Sequence, residues 1–175
     1  MKLFPVTATL AATMIVLAGC SSTPPAHETD PARDLDHAPA WVTTSEDDAP
    51  ALWSIGTASG IDDPYRLQRT ALAEARARMA SRIADCVAPA LTPDLVADRS
   101  VCDDVTDAVV SVNLYGPHRE RYWIGPSGTC YVRYEIPLET YEANVLSLHR
   151  VDEDVRATVA AAARNEVEAA PMLAR

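Results

Sequence analysis

Three cysteines in the body of the chain, Cys86, Cys102 and Cys130, are its best candidates for chemistry. A thiolate becomes a nucleophile or a metal ligand when a base or a cation lies beside it. His118 is the base that could serve Cys130, with an Asp or Glu to orient it. Yet the run TCYVRYEI, residues 129 to 136, alternates and sets Cys130 in a row with Val132, Tyr134 and Ile136. A cysteine in such a row is far more often inert core than nucleophile. The cysteines lack the C-x-x-C spacing of a zinc site, and His27, His37 and His118 are scattered. Asp103-Asp104 and Asp152-Glu153-Asp154 lie outside any Asp-x-Asp-x-Asp-Gly loop, the pattern of calcium binding. LWSIGTASG, residues 52 to 60, has neither of the phosphate-binding glycine spacings, and the chain's single lysine is Lys2. No catalytic residue, metal or cofactor is therefore expected, and the chain is expected not to be an enzyme.

The fourth cysteine, Cys20, has a different setting. Lys2 gives a short positive start, and the 17 residues from Leu3 to Gly19 carry no charge. A charged start, an apolar centre and small residues at the end are the layout of a secretory signal. The end of that run, Leu17-Ala18-Gly19-Cys20, resembles the lipobox of bacterial lipoproteins. The resemblance implies cleavage before Cys20 and a diacylglycerol thioether on its sulfur, the one covalent group expected on this chain. Ser21, rather than Asp, follows the cysteine, which by the same resemblance favours the outer membrane. Two or more acyl chains anchor a protein stably where one does not.

An envelope compartment permits disulfides. Three cysteines allow one bridge and one free thiol. Cys86 and Cys102 flank a proline-bearing loop and are the expected pair, with Cys130 left as a buried strand thiol. Closing that loop would contribute about 3 kcal/mol.

Removing 19 of the 175 residues leaves 156, enough for one domain with tails. The formal charge is −10, and −11 without Lys2, so a nucleic-acid partner is not expected and anionic head groups would repel the surface. Membrane association should come from the lipid alone. Residues 20 to 38 are polar and proline-bearing and read as a flexible tether. A domain is expected over 39 to 149, and an Ala-rich helix or tail over 150 to 175.

The fold class expected is α+β, with a small sheet of three or four strands in the order strand, helix, strand, strand, helix. Leu52, Ser54, Gly56 and Ala58 alternate with Trp53, Ile55 and Thr57 as in a half-buried strand. Asp63-Pro64 caps and opens a helix running to about Val87. Its apolar stripe is read as Tyr65, Leu72, Met79, Ile83, Cys86 and Val87, with Ala75 at its edge and Arg76 inside it. Residues 88 to 104 read as a loop. Val110, Val112 and Leu114 suggest a strand over 105 to 115. HRERYWI, 118 to 124, continues extended, and GPSG, 125 to 128, is a turn. In the return strand Tyr131, Arg133 and Glu135 are expected to face outward. Pro137 ends it and starts a last helix of about 30 residues, kinked near Arg150, that projects or packs on a second copy.

Several of these stretches together resemble a family. Pro39 and Trp41, then Gly56 and Ala58, then Ala71, Ala75 and Ala77, then Tyr122, Trp123 and Tyr131 are similar to the LPP-twenty type of outer-membrane lipoprotein, to which flagella-associated lipoproteins are related. The likeness covers about residues 39 to 145, with an acidic insert at 43 to 50 and the cysteine-flanked loop as departures. It implies a small α+β domain, no enzyme activity and no catalytic residue. Two roles follow as expectations. One is structural or assembly work in the envelope, with self-association or flagellar or other envelope proteins as partners. The other is partner or ligand binding through an aromatic hairpin surface of Tyr115, Tyr122, Trp123 and Tyr131.

Overall fold

A computed structural model describes residues 31 to 43 and 50 to 169. The signal run, the lipobox Leu17, Ala18, Gly19 and Cys20, and most of the acidic insert lie outside them. The class is α+β as expected. Two short helices, α1 (Pro31–Leu35) and α2 (Ala40–Thr43), precede β1 (Ala51–Ala58), α3 (Pro64–Ala90), α4 (Arg99–Tyr115), β2 (Arg119–Ile124), β3 (Cys130–Pro137), α5 (Leu138–Leu146) and α6 (Glu153–Ala169). The strands form one antiparallel sheet in the order β1-β3-β2.

Asp63 caps α3, accepting from the amides of Tyr65 and Arg66 at 2.9 and 3.0 Å. The buried face of this helix is not the expected stripe. It is Leu67, Ala71, Ala75, Met79, Ile83 and Val87, while Tyr65 is 67% exposed. Each step of four residues overshoots a full turn by about 40°. The face therefore winds about the helix, from the sheet at Leu67 and Ala71 to the other helices at Val87. Small size decides its sheet end. A Cβ on Gly56 would stand 2.1 Å from the Ala71 carbonyl oxygen and 2.2 Å from the Ala75 nitrogen, so helix backbone lies directly on strand backbone.

The stretch 105 to 115, expected as a strand, is the body of α4. Asp98 caps it, accepting from the Ser100 amide at 2.8 Å, and Val105, Val109 and Asn113 are buried one turn apart. β-Branched residues favour strands only where a pleated surface receives them. Here α3 and α5 offer a helical groove instead. The expected 30-residue last helix is two helices. Ser147 closes the first, its hydroxyl donating to Asn144 O at 2.6 Å, and α6 folds back on α5 and α3. Arg164 meets Glu142 at 2.6 Å across this hairpin. Val159 and Ala163 are fully buried in the same cluster as Ile83 and Tyr141, so α6 belongs to the domain and neither projects nor forms a separate tail.

The helix-facing row of β3, Cys130, Val132, Tyr134 and Ile136, is buried as expected. The opposite row is buried too, which the alternation did not predict: Arg133 is 1% and Glu135 2% exposed, beside a buried Tyr131. Helix α2 lies over this face, where Arg133 donates to the Trp41 carbonyl at 3.2 Å. The second half of the expected tether also folds, as α1, and buries Asp34 against the β2–β3 turn.

Gly56→Ala should destabilise the domain by about 3 kcal/mol or more, because only backbone can yield to the new methyl. Gly60→Ala, at a φ of 70° with open space around it, should cost about 1 kcal/mol. Urea denaturation of the two variants measures the difference, and equal losses would contradict the close approach.

Candidate functional site

A gathering of polar chemistry lies in the seam between α3 and α6. Arg82 reaches from α3 to Glu166 on α6 at 2.7 Å, and its other arm donates to the Trp53 carbonyl of β1 at 2.6 Å. Cys86, one turn further along α3, donates its thiol proton to the second Glu166 oxygen. Burial pushes this thiol from an ordinary 9.0 up to about 12, helped by the Glu166 hydrogen bond and charge, with Arg82 opposing. The Tyr141 phenol is fully buried and has no hydrogen-bond partner among the described residues. Burial, with Cys86 and Glu166 nearby, pushes it up as well. An open groove of about 960 Å³ runs beside this cluster, with Pro89, Ala90, Ala157 and Ala161 on its apolar flank.

A thiol that ionises near pH 12 is almost wholly protonated at neutrality and makes a poor nucleophile. The carboxylate beside it is bound by Arg82. The cluster thus ties α6 to α3 and, through Trp53, to the sheet.

The expected Cys86–Cys102 bridge is not formed: Cys86, Cys102 and Cys130 are all free thiols. Cys86 faces α6, whereas Cys102, in the first turn of α4, points to the Val96 carbonyl at 3.9 Å. Cys130 is buried beside Ala58 and Val132, and its thiol is pushed up by burial. His118 does not reach it. The imidazole stacks on Tyr134 at 4.5 Å, four residues or about 13 Å along β3 from Cys130. Its nitrogens meet the Gly116 carbonyl and Glu120, each at 2.9 Å.

The four aromatics expected on one surface are divided. Tyr115, 88% exposed, ends α4. Tyr122, 61% exposed, lies on the helix side of β2, opposite Val132 in register. Trp123 lies on the other side, its ring 5.3 Å from that of Tyr131. Tyr131 is buried and donates to Asp34 at 3.3 Å. Asp34 also accepts from the Ser127 amide at 2.9 Å and from the Ser127 hydroxyl. Trp123 and Tyr131 face each other across the hairpin, a pairing that follows from the strand register and not from the expected shared surface. Asp34 carried no signal, because its partners lie more than ninety residues away. Glu166 was masked by the Ala-rich run around it.

Among the described residues no group of three or more His, Cys, Asp or Glu side chains is arranged to hold a metal, and no helix is long and apolar enough to cross a membrane. No family model matches the chain, and no curated protein matches it.

The raised Cys86 value carries a pH dependence. Its protonated form is favoured in the folded state, so the contribution is whole below about pH 9 and is lost as pH climbs toward 12. Denaturation across that window should show the wild type losing stability relative to Cys86→Ala. Parallel curves would contradict the Cys86–Glu166 contact.

Proposed function

We propose that this chain is a lipid-anchored protein of the bacterial cell envelope, held to the outer membrane through Cys20, with a non-catalytic structural or assembly role. The observation that carries this is the junction Leu17-Ala18-Gly19-Cys20 at the end of an uncharged run that follows Lys2. No other segment offers a thiol preceded by two small residues at the end of such a run. Kinship with LPP-twenty-type lipoproteins is part of the proposal and rests on the short stretches around Trp41, Gly56, Ala75 and Trp123.

The polar interior favours a structural role. Arg82, Glu166, Asp34 and Arg133 each engage a neighbouring element of the fold. The thiol nearest a carboxylate is held protonated. The exposed Tyr115 and Tyr122 favour a second reading, a partner-binding module, but they stand on different elements and the hairpin's other two aromatics face away from Tyr122.

The test is the intact mass and membrane fractionation of the protein expressed with its own N-terminus, beside Cys20→Ser. The wild type should be cut before Cys20, carry the added mass of acyl chains and sediment with outer membrane, while Cys20→Ser should do none of these. Identical mass and fractionation of the two would overturn the anchor.

A further inference from the structure

The domain has two unlike ends. Register sets Ala58 of β1 opposite Cys130 of β3, so the β2–β3 turn and the start of α3 share one end. Asp34 accepts from Ser127 in that turn, so the chain also enters there. The other end gathers the loop after α3, the start of α4 and the loop before α6, where Val96, Asp104, Arg150 and Asp152 line one cavity. That end is strongly acidic. Asp98, Asp103, Asp104, Asp152, Glu153 and Asp154 lie in or just before the first two turns of α4 and α6, against Arg99, Arg150 and Arg156.

The entry end is different. Arg66 and Arg69, in the first turns of α3, are exposed and have no ion pair among the described residues. The Arg69 guanidinium lies 5.7 Å over the ring of the exposed Tyr65. Further along the helix, Arg76, Arg78 and Arg82 are tied to Glu120, Glu74 and Glu166. Leu67, Ala71 and Leu72 of α3 pack with Val132, and Tyr122 pairs with Val132 in register. The exposed Tyr122 and Ile124 therefore adjoin the same turns of α3. Asp62 and Asp63 offset the two arginines, and the Asp63 carboxylate is taken by the amides of Tyr65 and Arg66. One end is thus near charge balance with an aromatic and aliphatic surface, while the other carries excess acid.

We infer that the entry end rests on the phosphate-bearing face of the bilayer, through Tyr65, Arg66, Arg69, Tyr122 and Ile124. This deepens the anchor reading and depends on it. Ten residues separate Cys20 from Pro31, so a Cys20 held at the bilayer keeps α1 within roughly 40 Å of it. Helix α3 alone is about 40 Å long, so the tether favours contact by the entry end. An anionic surface repels the acidic end, and each arginine brought near such a surface favours that position by about five-fold. Tyrosine settles at head-group level, with its ring in apolar surroundings and its hydroxyl wet. The lipid supplies the hold, and this surface sets the orientation.

The test is hydroxyl-radical footprinting of the tyrosines, read by mass spectrometry. The full chain is held by its own lipid to phosphatidylcholine vesicles with and without phosphatidylglycerol. Tyr115, exposed at the other end of β2, is the internal reference. With phosphatidylglycerol present, Tyr65 and Tyr122 should be labelled about five-fold less than in detergent, and Tyr115 should be unchanged. Arg66→Glu with Arg69→Glu, which breaks no ion pair among the described residues, should restore labelling of both. Equal labelling of the three tyrosines overturns the inference, as does protection of Tyr115 or protection that survives the double substitution. A second arm holds a chain beginning at Ser21 to the same vesicles, through an N-terminal hexahistidine on nickel-chelating lipid. A natural chain without acyl mass defeats only the anchor, and the second arm then decides the orientation. A lipidated chain with evenly labelled tyrosines defeats only the orientation.

Discussion

Everything in this domain is arranged around the absence of a side chain at Gly56. With no Cβ there, the backbone of α3 at Ala71 and Ala75 comes down onto the middle of β1. Ser54, next in the same row, donates its hydroxyl to the Ala75 carbonyl at 2.7 Å and takes up a helix acceptor at the contact. From so close a position, α3's polar side chains overreach the strand. Glu74 and Arg82 come to β1's outer edge, and Arg82 also gathers α6 through Glu166. Among the described residues, a helix seated this way packs on β1 and β3 and reaches β2 only through Arg76 and Glu120.

The other face of the sheet is built on polar contacts. Arg133 and Glu135 sit 2.9 Å apart, nearly inaccessible, with the Arg133 guanidinium 4.8 Å above the Trp53 ring and the Trp41 carbonyl within reach. Buried ion pairs are weak sources of net stability, since desolvation offsets most of the attraction. Their consequence here is positional. They fix α2 on the sheet much as the buried Asp34 fixes α1 on the β2–β3 turn. The chain leading from Cys20 therefore joins the fold at that turn rather than at β1. On the proposed anchor, the tether is shorter than composition alone suggests.

What could be read from the residues was local. Asp63-Pro64 announced α3, the alternation around Gly56 announced β1, and Pro137 marked the end of β3. What could not be read depended on distant partners. The buried face of α3 follows the alanines facing Gly56 and then winds toward α4 and α6, so a fixed stripe at 100° per residue misplaced Tyr65 and Cys86. Val109, Val110 and Val112 look like strand until α3 and α5 receive them as helix. Arg133 and Glu135 carry charge and so read as solvent-facing, although each supplies the other's partner. The aromatic hairpin was legible as a hairpin. Its division into an exposed Tyr122 and a buried Tyr131 was not, because the element that covers Tyr131 comes from residues 31 to 35.

Amide hydrogen exchange along β1, in dilute protein, tests most directly whether α3 is seated on that strand. Thr57, whose amide donates to Glu74, should exchange slowly although it sits on an edge. Glu74→Ala should speed exchange at Thr57. Fast exchange at Thr57 in the wild type would contradict the seating of α3 on Gly56.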